Sequence, residues 1–297
     1  LLEQGKLAEA EPLAREALAM RKKLLGEEHP DVAQSLNTLA AELMEQGKAV
    51  EAEPLLREAL AMQRKLLGLE HPDVAQSLNN LAVVLLRQGE LAEAEPLARE
   101  ALAMQRKLFS PEHLDIAQSL NTLGAMLFQQ GKPAEAEPLL RESLVIRRKL
   151  LGDEHLDVGT SLHNLAVALS GQGKPAEAEP LAREALAMRQ KLLGNEHVDI
   201  ADSLARLSVV LLEQGKLAEA EPLAREALAM QRKLLGQDRL DVVLSLNTLA
   251  VVLSQQGKLA EAESLFREAL AMQRKLLGQE HPDIAQSLHN LAGVLWR

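Results

Sequence analysis

Glycine stands at positions 5, 47, 89, 131, 173, 215 and 257, so the chain repeats every 42 residues, seven times, without an insertion or deletion. Leucine returns with it at 36, 78, 120, 162, 204, 246 and 288, and alanine at 10, 52, 94, 136, 178, 220 and 262. A fixed period of this length marks a solenoid, in which no unit buries its own apolar face and stacked neighbours bury it jointly. The 297 residues therefore predict a single array, 1–297, and place function on a surface rather than in a pocket.

Within one copy, Leu36, Leu39, Ala40 and Leu43 fall at helical spacing, Gly47-Lys48 breaks the pattern, and Ala52, Leu55, Leu56, Ala59 and Leu60 resume it. The unit is a helical hairpin, helix A then helix B. Asp31 predicts the cap of helix A, with Gln34 reaching back from three residues on, as in a capping box. Helix B opens acidic (Glu51, Glu53) and closes basic (Arg64, Lys65), which complements the helix dipole. Gly68 predicts a left-handed stop, and Pro54, about one turn inside helix B, removes one early backbone bond.

Charge and composition narrow the partners. A net charge of −10 repels phosphate backbones and argues against nucleic acid, and the lack of cysteine excludes disulfides and zinc-thiolate sites. No apolar run approaches the roughly 18 residues of a membrane span, so no membrane is expected and the chain reads as cytoplasmic. Phosphate-cradling Gly-Lys-Thr loops, Gly-x-Ser-x-Gly and paired-histidine zinc motifs are missing, which points to a non-enzyme without cofactor or metal. The loop histidines His29, His71, His113, His155, His197 and His281 stand about 10 Å apart per repeat, too far to share one metal, and are read as loop hydrogen-bonding groups.

Leu36, Leu39, Ala40, Leu43, Gly47, Ala52, Leu56 and Ala59, with the Leu-Leu-Gly-x-Glu-His-Pro-Asp and Leu-Asn-Asn-Leu-Ala strings, resemble the tetratricopeptide repeat in its 42-residue, kinesin light chain-like form. That resemblance covers the whole chain. It implies an all-α, right-handed superhelical solenoid of antiparallel helix pairs whose A helices line a concave face. The function it implies is a protein-protein interaction scaffold that binds an extended peptide or partner protein there. Leucine at 43, 85, 127, 169, 211, 253 and 295, where the family commonly has tyrosine, argues against an aromatic-rich groove.

On that face the resemblance places an amide ladder, Asn37, Asn79, Asn121, His163, Asn247 and His289, interrupted by Ala205. Gln34, Gln76 and Gln118 run beside it, continued by Thr160, Asp202, Leu244 and Gln286, with Asn80 adjoining. Asparagine suits the backbone of an extended peptide because its amide both donates and accepts. Copies differ where a ligand is selected, which adds Phe128, Arg206, Asp202, Leu244 and Trp296, while Arg87, Arg206 and Arg297 supply the few bases near the groove. The chain opens on Leu1-Leu2-Glu3-Gln4-Gly5 and closes on Leu295-Trp296-Arg297, both inside a helix A. An alternative reading is thus a structural module associating head to tail through its uncapped ends.

Overall fold

The computed structural model describes residues 7–279 and 281–296. Leu1 to Gly5 and Arg297, on which the reading of the cut ends and one groove base rests, lie outside the described residues. Those residues form fourteen α-helices and no strand. They fall into two compact units, Leu1–Leu150 and Leu151–Arg297.

The first unit holds α1 (Leu7–Leu25), α2 (Pro30–Glu45), α3 (Ala49–Leu67), α4 (Pro72–Gln88), α5 (Leu91–Leu108), α6 (Leu114–Gln129) and α7 (Pro133–Leu151). The second holds α8 (Leu156–Gly171), α9 (Pro175–Leu193), α10 (Val198–Glu213), α11 (Leu217–Leu235), α12 (Leu240–Gln255), α13 (Leu259–Leu277) and α14 (Pro282–Leu295). Even-numbered helices are the A helices and odd-numbered ones the B helices of the repeat.

Within each unit B helices pack on both flanking A helices, as α3 does on α2 and α4, and α11 on α10 and α12. A helices also approach each other directly, α2 with α4 and α4 with α6 in one unit, α8 with α10 and α10 with α12 in the other. Among the described residues, B helices make no such backbone approach, so the A helices lie on the inner side of each unit. Alanine allows the closeness: Ala33, Ala40, Ala52, Ala59, Ala75 and Ala82 are all fully buried. Leu36, Leu78, Leu120, Leu162, Leu204 and Leu246 fill the layers between them, each at most 1% exposed.

Helix A begins two residues earlier than its aspartate suggests. The cap is His29, whose Nδ1 accepts from the Asp31 N–H at 3.1 Å, while Pro30 occupies the first helical place. His71, His113, His155, His197 and His281 repeat the bond at 3.1 to 3.2 Å. The loop histidines are thus helix caps, each worth about 1 kcal/mol by analogy with other cap side chains. Arg239, in the one loop without histidine, makes no side-chain cap bond. Gln34 is exposed and closes no capping box in this arrangement.

Helix B ends as a second correction. Gly68 has φ +86° and ψ −180°, a region open essentially to glycine alone and distinct from the left-handed helical one. The left-handed stop falls instead at the end of helix A, where Gly89 has φ 82° and ψ 9°. Pro54 lies inside α3, whose helix continues through it. At Phe109 and Ser110, where the glycine is replaced, α5 ends in extended backbone and the Phe109 ring stacks on His113 with centroids 4.0 Å apart.

Candidate interaction surface

The asparagine ladder is largely turned between layers. Asn37 Nδ2 donates to Ser77 Oγ at 2.7 Å, and Ser77 lies on the next A helix, 40 residues on. Ser119 Oγ donates to Asn79 Oδ1 at 3.2 Å, and Asn79 is only 2% exposed. These amides tie one A helix to the next, and Asn79, though buried, borders a small hollow with Gln76 and Gln118. A buried amide in an alanine-rich layer must find a partner, and the serine one repeat on supplies it. Asn121 and Asn247 are half-buried at the same place, and Asn247 Oδ1 is buried without a partner.

The glutamines beside the ladder reach the surface. Gln34, Gln76 and Gln118 are exposed on α2, α4 and α6. Gln34 and Thr38 of α2 face Gln76 and Asn80 of α4 across a hollow of about 400 Å³, which Asn37 also borders. Ala41, Met44, Asn80, Val83, Arg87 and Gln118 border the neighbouring one. Arg87 Nη1 donates to Met44 O at 2.9 Å. Phe128 is half-buried at the repeat place of Met44 and Ser254, both of which border hollows. His289 is exposed beside Val251, Ser254 and Asn290.

Charges on the B helices are already engaged. Lys48 Nζ reaches Glu11 Oε2 of the preceding B helix at 2.8 Å, Lys216 reaches Glu179 at 2.6 Å, and Lys258 reaches Glu221 at 2.8 Å. The bond from Lys48, then that from Arg15, holds the Glu11 carboxyl down to about 2, and Lys216 and Lys258 do the same for Glu179 and Glu221. Arg57 bridges Glu53 at 2.8 Å and Glu93 of the next B helix at 2.7 Å. Exposed pairs contribute little singly, but here they clip successive repeats together.

In the second unit the variable residues converge. His163 of α8, Asp202 and Arg206 of α10 and Leu244 of α12 all line one hollow of about 300 Å³. Burial, reinforced by Arg189 and Arg206, pushes the His163 imidazole well below its usual range, so it stays neutral. Burial pushes the Asp202 carboxyl up to about 6, aided by Asp241 and Asp199 and opposed by Arg189 and Gln231. Burial lowers Arg206 as well, against the pull of Glu213 and Asp202. A guanidinium remains charged under such a shift.

The tetratricopeptide repeat profile matches residues 1–31, 43–107, 115–191, 176–233 and 242–283. The chain belongs to the tetratricopeptide repeat family. Its repeats are of the kinesin light chain-like type. A crystal structure of a kinesin light chain-like protein from Podospora anserina with nearly identical TPR-like repeats is 32% identical, with a TM-score of 0.55 over 69% of this chain and 98% of that one. BtubC from P. vanneervenii is 23% identical with a TM-score of 0.60, covering 78% of this chain and 92% of its own, and shares the fold. A chain of the APC/C hetero-tetramer Cut9-Hcn1 is 17% identical with a TM-score of 0.69, covering 97% of this chain and 48% of that one. No curated protein matches. Tetratricopeptide arrays are generally protein-interaction scaffolds and generally non-enzymatic.

Among the described residues of this tetratricopeptide chain, no cluster of histidine and acidic side chains is arranged to hold a metal. No described helix is long and apolar enough to cross a membrane. Two features escaped the sequence reading. One is the serine that partners Asn37 and Asn79; its signal was a serine column, Ser35 through Ser287, one residue before the core leucine in every copy. The other is a buried polar place on helix B, where Arg189 Nη1 donates to Asp199 O at 2.9 Å and to Ser203 Oγ at 2.8 Å. Arg21 does the same for Asp31 and Ser35.

Proposed function

We propose that the seven copies act as one scaffold that binds an extended peptide or a partner protein along the A-helix side, without catalysis, cofactor, metal, nucleic acid or membrane. What carries this reading is the contrast between faces. Exposed amides of Gln34, Gln76 and Gln118 border hollows on the A helices, whereas charged groups of the B helices are tied to one another across repeats. Amides that are open to water and repeat at fixed steps match a peptide backbone, which repeats its own donors and acceptors. Cytoplasmic residence fits a chain without cysteine.

The test begins with peptides selected from a displayed library on the full chain. Replacing Gln34, Gln76 and Gln118 together by alanine is expected to weaken a selected peptide by about tenfold or more, since each lost hydrogen bond contributes about 0.5–1.5 kcal/mol. Glu58→Ala on α3 is the control and leaves affinity unchanged. Loss of binding in the control alone contradicts the assignment.

A second reading has its own observation. Leu13, Met20 and Leu24 on α1 are 55–72% exposed, and Leu288, at a place fully buried in Leu36 and Leu78, is 42% exposed on α14. The two faces are those that meet within the array, so a second copy joining α14 to α1 would cover both. Sedimentation at rising concentration checks this, and a constant monomer mass excludes it.

A further inference from the structure

The ladder is interrupted at Ala205 in the second unit, and the interruption leaves a hollow with unmatched polar atoms. Asn37 and Asn79 bond to Ser77 and Ser119, each 40 residues on. The equivalent of those asparagines on α10 is Ala205, and the serine 40 residues on is Ser245. Ser245 is 3% exposed and its Oγ has no partner. Gln231, also 3% exposed, stands where Arg189 serves the preceding repeat, and its Oε1 has no partner either. Ala205, Gln231 and Ser245 line the same hollow as Asp202, Arg206 and Asp241.

We propose that this hollow takes the cationic side chain, arginine before lysine, of a peptide lying on the A helices, so that specificity resides in the second unit. This rests on the A-helix reading given above. Three observations choose the ligand class. Of the two lining carboxylates, Asp241 already pairs with Arg239 at 3.8 Å, whereas Asp202 makes no ion pair among the described residues, and His163 is neutral. A cation therefore supplies the partner that Asp202 lacks, and an anion would be repelled by it. The open acceptor Gln231 Oε1 asks for a donor, and guanidinium offers five N–H groups in a planar fork. Arg206 Nε, buried and unpartnered, remains for a carbonyl of the same peptide.

The chain's own repeats reinforce the choice. Asp202 replaces the glutamine found at 34, 76, 118 and 286, and Arg206 replaces the threonine or asparagine found at 38, 80, 122, 164, 248 and 290. Asp202 and Arg206 are thus departures from the repeat, and they gather at the hollow where Ala205 replaces the asparagine that would bond Ser245.

The experiment is an NMR titration of the full chain with the blocked pentapeptide Ala-Ala-Arg-Ala-Ala and its glutamate counterpart. Saturable shifts are expected at Asp202, Leu244 and Thr248 with the arginine peptide, which binds about tenfold or more tightly than the glutamate one. Asp202→Gln and Ala205→Asn each install a residue that sister copies already carry, so both fold. Each is expected to weaken the arginine peptide by about tenfold, the first by removing charge and the second by filling the hole and bonding Ser245. Affinity is also expected to rise from pH 5 to pH 7 as Asp202 loses its proton near 6 among His163, Arg189, Asp199, Arg206 and Asp241. No saturable shift, tighter binding of the glutamate peptide, or indifference to both variants overturns the assignment. If the glutamine triple variant still loses its selected peptide, only the arginine site falls and the A-helix reading survives.

Discussion

Asp202→Asn is expected to stabilise the chain at pH 7 by up to about 3 kcal/mol, an unusual sign for a change at a half-buried position. The folded state raises the Asp202 carboxyl from an ordinary 3.8 to about 6, chiefly by burial and then by Asp241. A raised carboxyl binds its proton more tightly in the folded chain than in the unfolded one, so the charged form opposes folding. Below pH 3.8 both states hold the proton and there is no penalty. The penalty grows as pH rises and is complete above about 6, where it reaches about 3 kcal/mol. Urea unfolding of wild type and variant at pH 7 and pH 4 checks the claim: a large gap at pH 7 that closes at pH 4 is expected. An equal gap at both values, or a destabilised variant, would show that the carboxyl is satisfied in the fold. A residue that weakens the fold and faces a hollow is retained for something other than stability.

Phe266→Ala is expected to destabilise by about 3–5 kcal/mol, while Phe266→Leu costs only about 1 kcal/mol. Phe266 is 1% exposed and is the one phenylalanine inside the packed layers. Its place holds Leu56 and Leu140 in two other copies and Ala14, Ala98, Ala182 and Ala224 in four. Leucine is thus known to suit the layer, whereas alanine opposite a layer built around a ring leaves a void. It packs within the cluster of Leu246, Leu249 and Leu253 on α12 and Ile284 and Leu291 on α14, so the loss falls on the second unit. Denaturant midpoints, with slopes compared, measure it. A cost for alanine no larger than that for leucine would mean that α12 and α14 close around the gap.

The 42-residue period, the hairpin and the core places were legible because each copy confirmed the others: Leu36, Leu39 and Ala52 fall at the same step in every repeat. What lies across repeats was not. A bond from Asn37 to Ser77 joins residues 40 apart, and one from Lys48 to Glu11 joins residues 37 apart, so neither follows from helical periodicity within a copy. Glu11 and its equivalents were expected to serve the helix dipole, and they also bind the next repeat. Asp31 was expected to cap its helix, but Pro30 fixes the first helical residue and hands the cap to His29. Variation at His163, Asp202, Arg206 and Leu244 was visible in the sequence. That all four meet was not, since it depends on which faces of α8, α10 and α12 turn toward one another.

The absence of cysteine allows the working face to be mapped directly. Single cysteines at Leu244, 65% exposed at the hollow on α12, and at Val50, 77% exposed on the B helix α3, should both alkylate readily in the free chain. With a library-selected peptide at saturation, alkylation at position 244 is expected to slow by about tenfold and that at position 50 to stay the same. Protection at position 50 with position 244 still open would place the partner on the B helices and contradict the account.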